Sequence, residues 1–174
     1  MSIHPRGLWA GLILLALAAG AAPAHAADEP GVTRIGDWKL NCPNPLPAGT
    51  PRCFLTQSVV ANDTGLGVLA VAIYFWPNNP VPQIAFNLAP QADNSQDLTL
   101  EIDREAHYNL TLGACDDKSC STSGNLRPEL LKKLKDGKSA VVTFAIQKQP
   151  QRIGVPLSLK GFVNAFKTLE AKGR

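Results

Sequence analysis

Histidine is almost missing from this sequence. Three occur among 174 residues, and only His107 lies beyond the first 26. Any chemistry built on imidazole therefore has a single candidate. No G-x-S-x-G nucleophile elbow, no H-E-x-x-H zinc helix and no glycine-rich phosphate loop is present. Aromatic residues make up 6% of the chain. So few of them beside the basic residues argue against a nucleic-acid surface, which combines stacking platforms with positive charge. Beyond the first 26 residues no apolar run is long enough to cross a bilayer as a helix. Internal repeats and low-complexity tracts are absent as well.

The beginning of the chain does carry an apolar run. "MSIHPRGLWAGLILLALAAGAAPAHA" has a basic start at Arg6, an apolar stretch from Leu8 to about Ala22, and the small-x-small triplet Ala24-His25-Ala26. These are the three parts of a secretory signal peptide, here residues 1–26. A transmembrane anchor is the rival reading, but the stretch is short, rich in Gly and Ala, and ends in a cleavage pattern. No cysteine follows it, which argues against a lipoprotein anchor. Removing 26 of the 174 residues leaves 148, residues 27–174, a length that suits a single domain with a real core. The mature chain is expected to be soluble and either periplasmic or secreted.

Four cysteines remain: Cys42, Cys53, Cys115 and Cys120. An even count in an exported chain points to two disulfides. Three pairings are possible. Cys42–Cys53 and Cys115–Cys120 are favoured because each pair lies close in sequence across a turn-rich loop. Each bridge is worth roughly 2–3 kcal/mol by the loop-entropy estimate. A four-cysteine zinc site is the alternative. Its ligand pairs usually stand two to four residues apart, which the Cys42–Cys53 spacing does not match. No metal and no cofactor is expected.

Charge is unevenly distributed. Residues 27–126 hold five basic and eleven acidic side chains, and residues 127–174 hold eleven basic and three acidic ones. Such a split can mark a basic face for an anionic partner. The simpler reading is that the two parts pack together and neutralise one another.

Short strands separated by turns dominate the pattern. "GDWKLNC" alternates and places Trp38 in the core. "CFLTQSVV", "QIAFNL", "LTLEID", "HYNLTL", "AVVTFAI" and "IGVPLSL" read as further strands. "REA" reads as a hairpin turn, and Leu66–Trp76 as a central strand buried on both faces. "LRPELLKKLKDGK" reads as a helix with Pro128 in its first turn, a stripe of Leu130, Leu131 and Leu134, and Gly137 just past its end. At the C-terminus, Phe162, Ala165, Phe166 and Leu169 have the spacing of one helix face. About eight strands with two short helices predict a mainly β antiparallel sandwich. The last helix closes one end as a lid. At about 25 cal/mol per Å² its buried Phe and Leu side chains contribute several kcal/mol before entropy.

Taken in order, "GDWKLNC", "CFLTQ", the Cys115/Cys120 pair, "LLKKLKDGK" and "VPLSLKGFVNAF" resemble the invasion-associated locus B family. The likeness spans roughly Gly36 to Leu169. It implies an immunoglobulin-like β-sandwich in a bacterial envelope or secreted protein, with two local disulfides mapping onto Cys42, Cys53, Cys115 and Cys120. Members often carry a Pro-Leu-Gly turn where this chain has Leu88-Ala89-Pro90, which loosens the match there.

Candidates for chemistry are few. His107 lies next to a hairpin turn and reads as an ordinary surface or half-buried side chain. Glu101, Asp103 and Glu105 alternate, and a pair such as Glu101/Asp103 on one strand face could serve acid/base hydrolysis. A solvated strand face explains them more simply. Asp116-Asp117 offers too few ligands for calcium. Binding candidates are Trp76, as an anchor at a loop tip, and the basic group Lys132, Lys133, Lys135 and Lys138. Their ordinary readings are a strand end and a solubilising helix face.

The leading expectation is therefore an exported, non-enzymatic protein that binds a macromolecular partner, an envelope component or a host surface. It links the protein to envelope maintenance or host-cell invasion. The alternatives are a periplasmic hydrolase using His107 or Glu101/Asp103, and an envelope-assembly accessory protein forming a stoichiometric complex.

Overall fold

The computed structural model describes residues 30–113 and 115–174. The expected signal segment, residues 1–26, lies outside the described residues. In chain order the elements are β1 (Val32–Ile35), β2 (Trp38–Asn41), β3 (Phe54–Val60), β4 (Gly67–Tyr74), β5 (Gln83–Leu88), β6 (Leu98–Ile102), β7 (Ala106–Leu110), β8 (Cys120–Asn125), α1 (Pro128–Asp136), β9 (Ala140–Ala145), β10 (Arg152–Leu157) and α2 (Phe162–Gly173). One sheet has the order β1-β2-β3-β4-β5-β8 and the other β10-β9-β6-β7. Every strand pairing is antiparallel. After β5 the chain crosses to the second sheet for β6 and β7, returns for β8, and crosses again for β9 and β10. This is the mainly β sandwich with two short helices that the strand pattern predicts.

Ten strands stand among the described residues where eight were expected. The additions are β1 and β8. "CSTSGN" has the composition of a turn, yet pairs along its whole length with β5, from Cys120 opposite Leu88 to Asn125 opposite Gln83. Tertiary pairing overrides its weak strand propensity. The strand expected over Leu66–Trp76 is shorter and differs in kind. β4 is fully buried on one face only, through Leu69, Val71 and Ile73. Its other face presents half-buried Val68, Ala70, Ala72 and Tyr74. Two alanines there let the sheet approach the surface without exposing much apolar area.

Helix α1 begins at Pro128 as expected and buries Leu130 and Leu134. Leu131 is only half-buried. Gly137 ends the helix in an extended conformation (φ −72°, ψ 157°), not the left-handed one that usually selects glycine there. Close approach selects it instead. A Cβ at Gly137 would meet Lys133 O at 2.7 Å and Ile102 Cγ2 at 2.8 Å.

Disulfides join Cys42 to Cys53 and Cys115 to Cys120. The first ties the end of β2 to the start of β3. The second closes the turn that leads into β8.

Helix α2 does more than cap an end. Phe162, Ala165, Phe166 and Leu169 are all fully buried, and the helix packs on β1, β2 and β3. The Phe162 ring lies 5.2 Å from Trp38, and Phe166 lies 6.2 Å from Phe75. At the N-terminus of α2 three distant segments lock together. Trp38 Nε1 donates to Ser158 O at 3.0 Å, as does Gln57 Nε2. The Ser158 amide donates back to Gln57 Oε1 at 2.7 Å, and its hydroxyl donates to Asp37 Oδ2 at 2.6 Å. The Asp37 amide donates to Lys160 O at 3.1 Å. Gly36 and Gly161 press against each other there, both at positive φ. A Cβ on Gly161 would meet Ile35 O at 2.6 Å, and one on Gly36 would run into the Lys160 carbonyl. The segments "GDW", "TQ" and "SLKG" thus form one latch in space.

Candidate binding surfaces

The carboxylates considered for catalysis are not assembled into one site. Strand β6 ends at Ile102, and the hairpin turn occupies Asp103–Glu105, one residue ahead of the "REA" expected from the sequence. Asp103 and Arg104 adopt positive φ of 52° and 61°. This swings Asp103 off the strand face that Glu101 shares. The Asp103 carboxylate accepts hydrogen bonds from the amides of Lys138 (3.0 Å) and Ser139 (2.8 Å) and from the Ser139 hydroxyl (3.2 Å). These donors, led by the Ser139 amide, hold its pKa below the ordinary carboxylate value. Asp103 is a clamp between the β6–β7 turn and the entry to β9.

Glu101 faces His107 across the same hairpin, with Oε2 3.4 Å from Nδ1. Among the described residues no hydroxyl is hydrogen-bonded to His107. Asp116 accepts the amides of Lys118 (2.8 Å) and Ser119 (2.7 Å), chiefly Lys118, and these lower its pKa too. No group of three His, Cys, Asp or Glu side chains able to hold a metal ion occurs among the described residues.

The four lysines do not converge on one cavity. Lys132 pairs with Asp136 one turn along α1. Lys132 and Lys133 line a depression with Asp103, Glu129 and Asp136, where positive and negative charges alternate. Lys135 Nζ stands 4.7 Å from the Phe166 ring centroid and covers it. Lys138 lies in a separate shallow depression beside Lys160. The expected neutralisation between the acidic and basic parts of the chain does not run through ion pairs. Each salt bridge among the described residues falls within one part: Glu101 with His107, Lys132 with Asp136, and Glu170 with Arg174. The basic excess of residues 127–174 therefore stays largely at the surface.

Trp76 is out of the core. Phe75 takes the buried position at 1% exposure, and Trp76 points outward at 42%. Its ring packs edge-on against Tyr74, 5.3 Å away. It lines a cleft of about 500 Å³ with Leu46, Arg52, Asn78, Pro80 and Arg174. Leu46 is also exposed, at 46%, while the Arg174 guanidinium stacks 4.8 Å from Phe75. The arginines, drawn from the first disulfide loop and the chain end, were not legible as partners of Trp76. Only the fold brings them together.

A second cleft of about 640 Å³ opens between β7 and β8, beside the first turn of α1. Ile84 and Leu130 form its floor, Tyr108 and Leu110 one wall, Thr122 and Gly124 the other, and Arg127 its mouth. His107 stands on its rim. Of these residues the sequence singled out only His107, and Leu130 as core.

The family model described as "Invasion associated locus B (IalB) protein" matches residues 38–170. None of the curated proteins matches the chain. Among solved structures, the crystal structure of an invasion associated protein B from Bartonella henselae is similar. Its TM-score is 0.65 at 19% identity, covering 80% of this chain and 96% of that one. This likeness concerns the fold.

Proposed function

Because the chain belongs to the invasion associated locus B family, we propose that it is exported and acts as a non-enzymatic binding protein of the bacterial envelope or its surroundings. The reading takes residues 1–26 as a removable signal and residues 27–174 as one sandwich domain. Two disulfides suit an oxidising compartment, periplasmic or extracellular. The observation that carries the binding role is Trp76. Trp38, Phe75, Phe86, Phe144, Phe162 and Phe166 are all almost fully buried. Trp76 instead stands in an open cleft whose lining also holds exposed Leu46, Arg52 and Arg174. An aromatic anchor with a cationic rim fits a macromolecule presenting an apolar group next to negative charge.

The hydrolase reading has weaker support. Asp103 is occupied by three donors from Lys138 and Ser139, and all four cysteines are oxidised.

The partner's source, envelope component or host surface, is separable in one experiment. Labelled oxidised protein is titrated onto isolated bacterial envelopes and onto cultured host cells. The reading expects Trp76→Ala to lower binding to one of them by roughly tenfold or more, with little change in Tm. Equal binding by wild type and Trp76→Ala on both surfaces would contradict it. Reversing Lys132, Lys133 and Lys135 to Glu tests the basic face; unchanged binding removes that face from the account.

A further inference from the structure

We propose that the cleft between β7 and β8 is a docking groove for an extended polypeptide segment of a partner protein. The segment adds as a strand to the free edge of β8 and brings a carboxylate to Arg127. This concerns a different surface from the Trp76 cleft, and neither assignment depends on the other.

Both walls of the groove are sheet edges. β8 ends the six-stranded sheet and β7 ends the four-stranded one. Along β8 the direction of the backbone groups can be read from its neighbours. The Leu126 amide donates to Pro82 O at 2.8 Å, so alternate positions Thr122 and Gly124 face β5. On the opposite side Ser121 O accepts from the Gly113 amide at 2.9 Å. The same alternation turns the N–H and C=O groups of Ser123 and Asn125 away from β5 and into the opening. Neither residue has a backbone partner on that side among the described residues, and both are exposed. A row of unpaired donors and acceptors is a template for strand addition.

Side chains on the inner faces of these strands show the same incompleteness. Tyr108 and Leu110 of β7 pair with buried Leu100 and Leu98 of β6, yet they remain half exposed. Across the gap Thr122 and Gly124 are half exposed too. The floor is apolar, and the volume of about 640 Å³ falls in the range of ligand-binding pockets.

Gly124 leaves room in the groove. Glycine inside a strand weakens it, and is often found where another backbone approaches closely. Here its backbone is not at positive φ, and a Cβ would meet nothing within 4 Å. No close approach among the described residues calls for glycine at this position. The space left over it takes an inward-facing side chain of the added strand.

Charge and closure set the rest of the partner's chemistry. The groove is lined by Arg127 and His107 and by no carboxylate. Glu101 stands behind His107, whereas Arg127 makes no side-chain hydrogen bond or salt bridge among the described residues. A carboxylate, from an acidic side chain or a chain end, matches it. At the other end the Cys115–Cys120 bridge, the Gly113–Ser121 hydrogen bond and the Thr122 hydroxyl, which donates to Thr111 O at 2.7 Å, close the groove. The open edge, residues 123–125, therefore takes a segment of about three residues at ~3.3 Å each.

The test uses the oxidised full chain and a random library of peptides about twelve residues long. Peptides selected on the wild type are expected to be acidic near one end and to protect the Ser123 and Asn125 amides from hydrogen exchange at saturation. Gly124→Val is expected to keep its Tm, since the added side chain enters open space, and to weaken the peptides by roughly tenfold or more. Arg127→Ala is expected to weaken them roughly three- to tenfold. Four results would overturn the proposal. One is failure of the library to yield any binder sensitive to Gly124→Val. A second is Ser123 and Asn125 left unprotected in the complex. A third is loss of the peptides in Trp76→Ala but not Gly124→Val, which would place them in the other cleft. The fourth is a dimer of this chain that Gly124→Val dissociates, which would assign the groove to a second copy.

Discussion

At one corner of the sandwich, Gly36 and Gly161 touch, Trp38 and Gln57 converge on Ser158, and each buried polar group there has a partner. At the β7–β8 edge, a Cβ on Gly124 would meet nothing within 4 Å, and the outward backbone of Ser123 and Asn125 is unpaired among the described residues. Both regions draw on the six-stranded sheet, through β1, β2 and β3 at the first and β8 at the second. The difference teaches that the most recognisable residues of this chain maintain the fold, whereas the surfaces free to meet a partner are made of residues that stand out little in the sequence. A buried hydrogen-bonded junction tolerates almost no change, because a lost partner leaves a desolvated group unsatisfied. An open edge tolerates many.

Substitutions can break or sharpen that contrast. The largest effect is expected for Trp38→Ala. It removes a side chain at 1% exposure, its contact with Phe162 and its bond to Ser158. A loss of roughly 3–5 kcal/mol in denaturant unfolding is expected. A loss below about 1 kcal/mol would mean that the latch is not structural. Next come the disulfides. Replacing Cys42 and Cys53 by Ser is expected to cost about 2.8 kcal/mol and replacing Cys115 and Cys120 about 2.2, because the second loop is shorter.

The two kinds of glycine should then move in opposite directions. Gly161→Ala is expected to destabilise by about 1–3 kcal/mol, since its φ of 82° is strained for any other residue and its Cβ would collide with Ile35 O. Gly124→Ala is expected to be neutral or to stabilise by roughly 0.5 kcal/mol, as alanine suits a strand better. Equal shifts in the same direction in thermal unfolding would erase the contrast.

The smallest effect concerns pH. The Asp103 pKa is lowered in the fold, so its contribution is fully present above the unfolded-state value of about 3.9. That contribution disappears as pH falls through the lower folded-state value. Asp103→Asn is therefore expected to have a lower Tm than wild type at neutral pH, with the two curves converging in strong acid. A constant gap across the titration would show that the carboxylate charge plays no part.

The sequence made the alternating and periodic elements legible. Leu98, Leu100 and Ile102 alternate, Phe162 to Leu169 recur on one helix face, and the paired cysteines flank short loops. Each carries its signal in local spacing. β8 carries none, since its Ser, Thr, Gly and Asn residues adopt a strand only because β5 stands beside them. Position rather than type hid the rest. Trp76 was visible as a candidate, but Arg52 joins its cleft from the first disulfide loop and Arg174 from the far end of α2. Asp103 was visible as a carboxylate, but its role depends on the turn that carries it to Ser139. The lysines were visible as a cluster, and the fold disperses them over separate depressions.

Residue-resolved amide hydrogen exchange on the oxidised chain tests the contrast most directly. The amides of Asp37 and Ser158, bonded to Lys160 O and Gln57 Oε1, are predicted to exchange only through global unfolding, whereas those of Ser123 and Asn125 exchange close to the unprotected rate. Comparable rates at the two corners, or protection at Ser123 and Asn125 without a partner present, would contradict a sealed latch opposite an open edge.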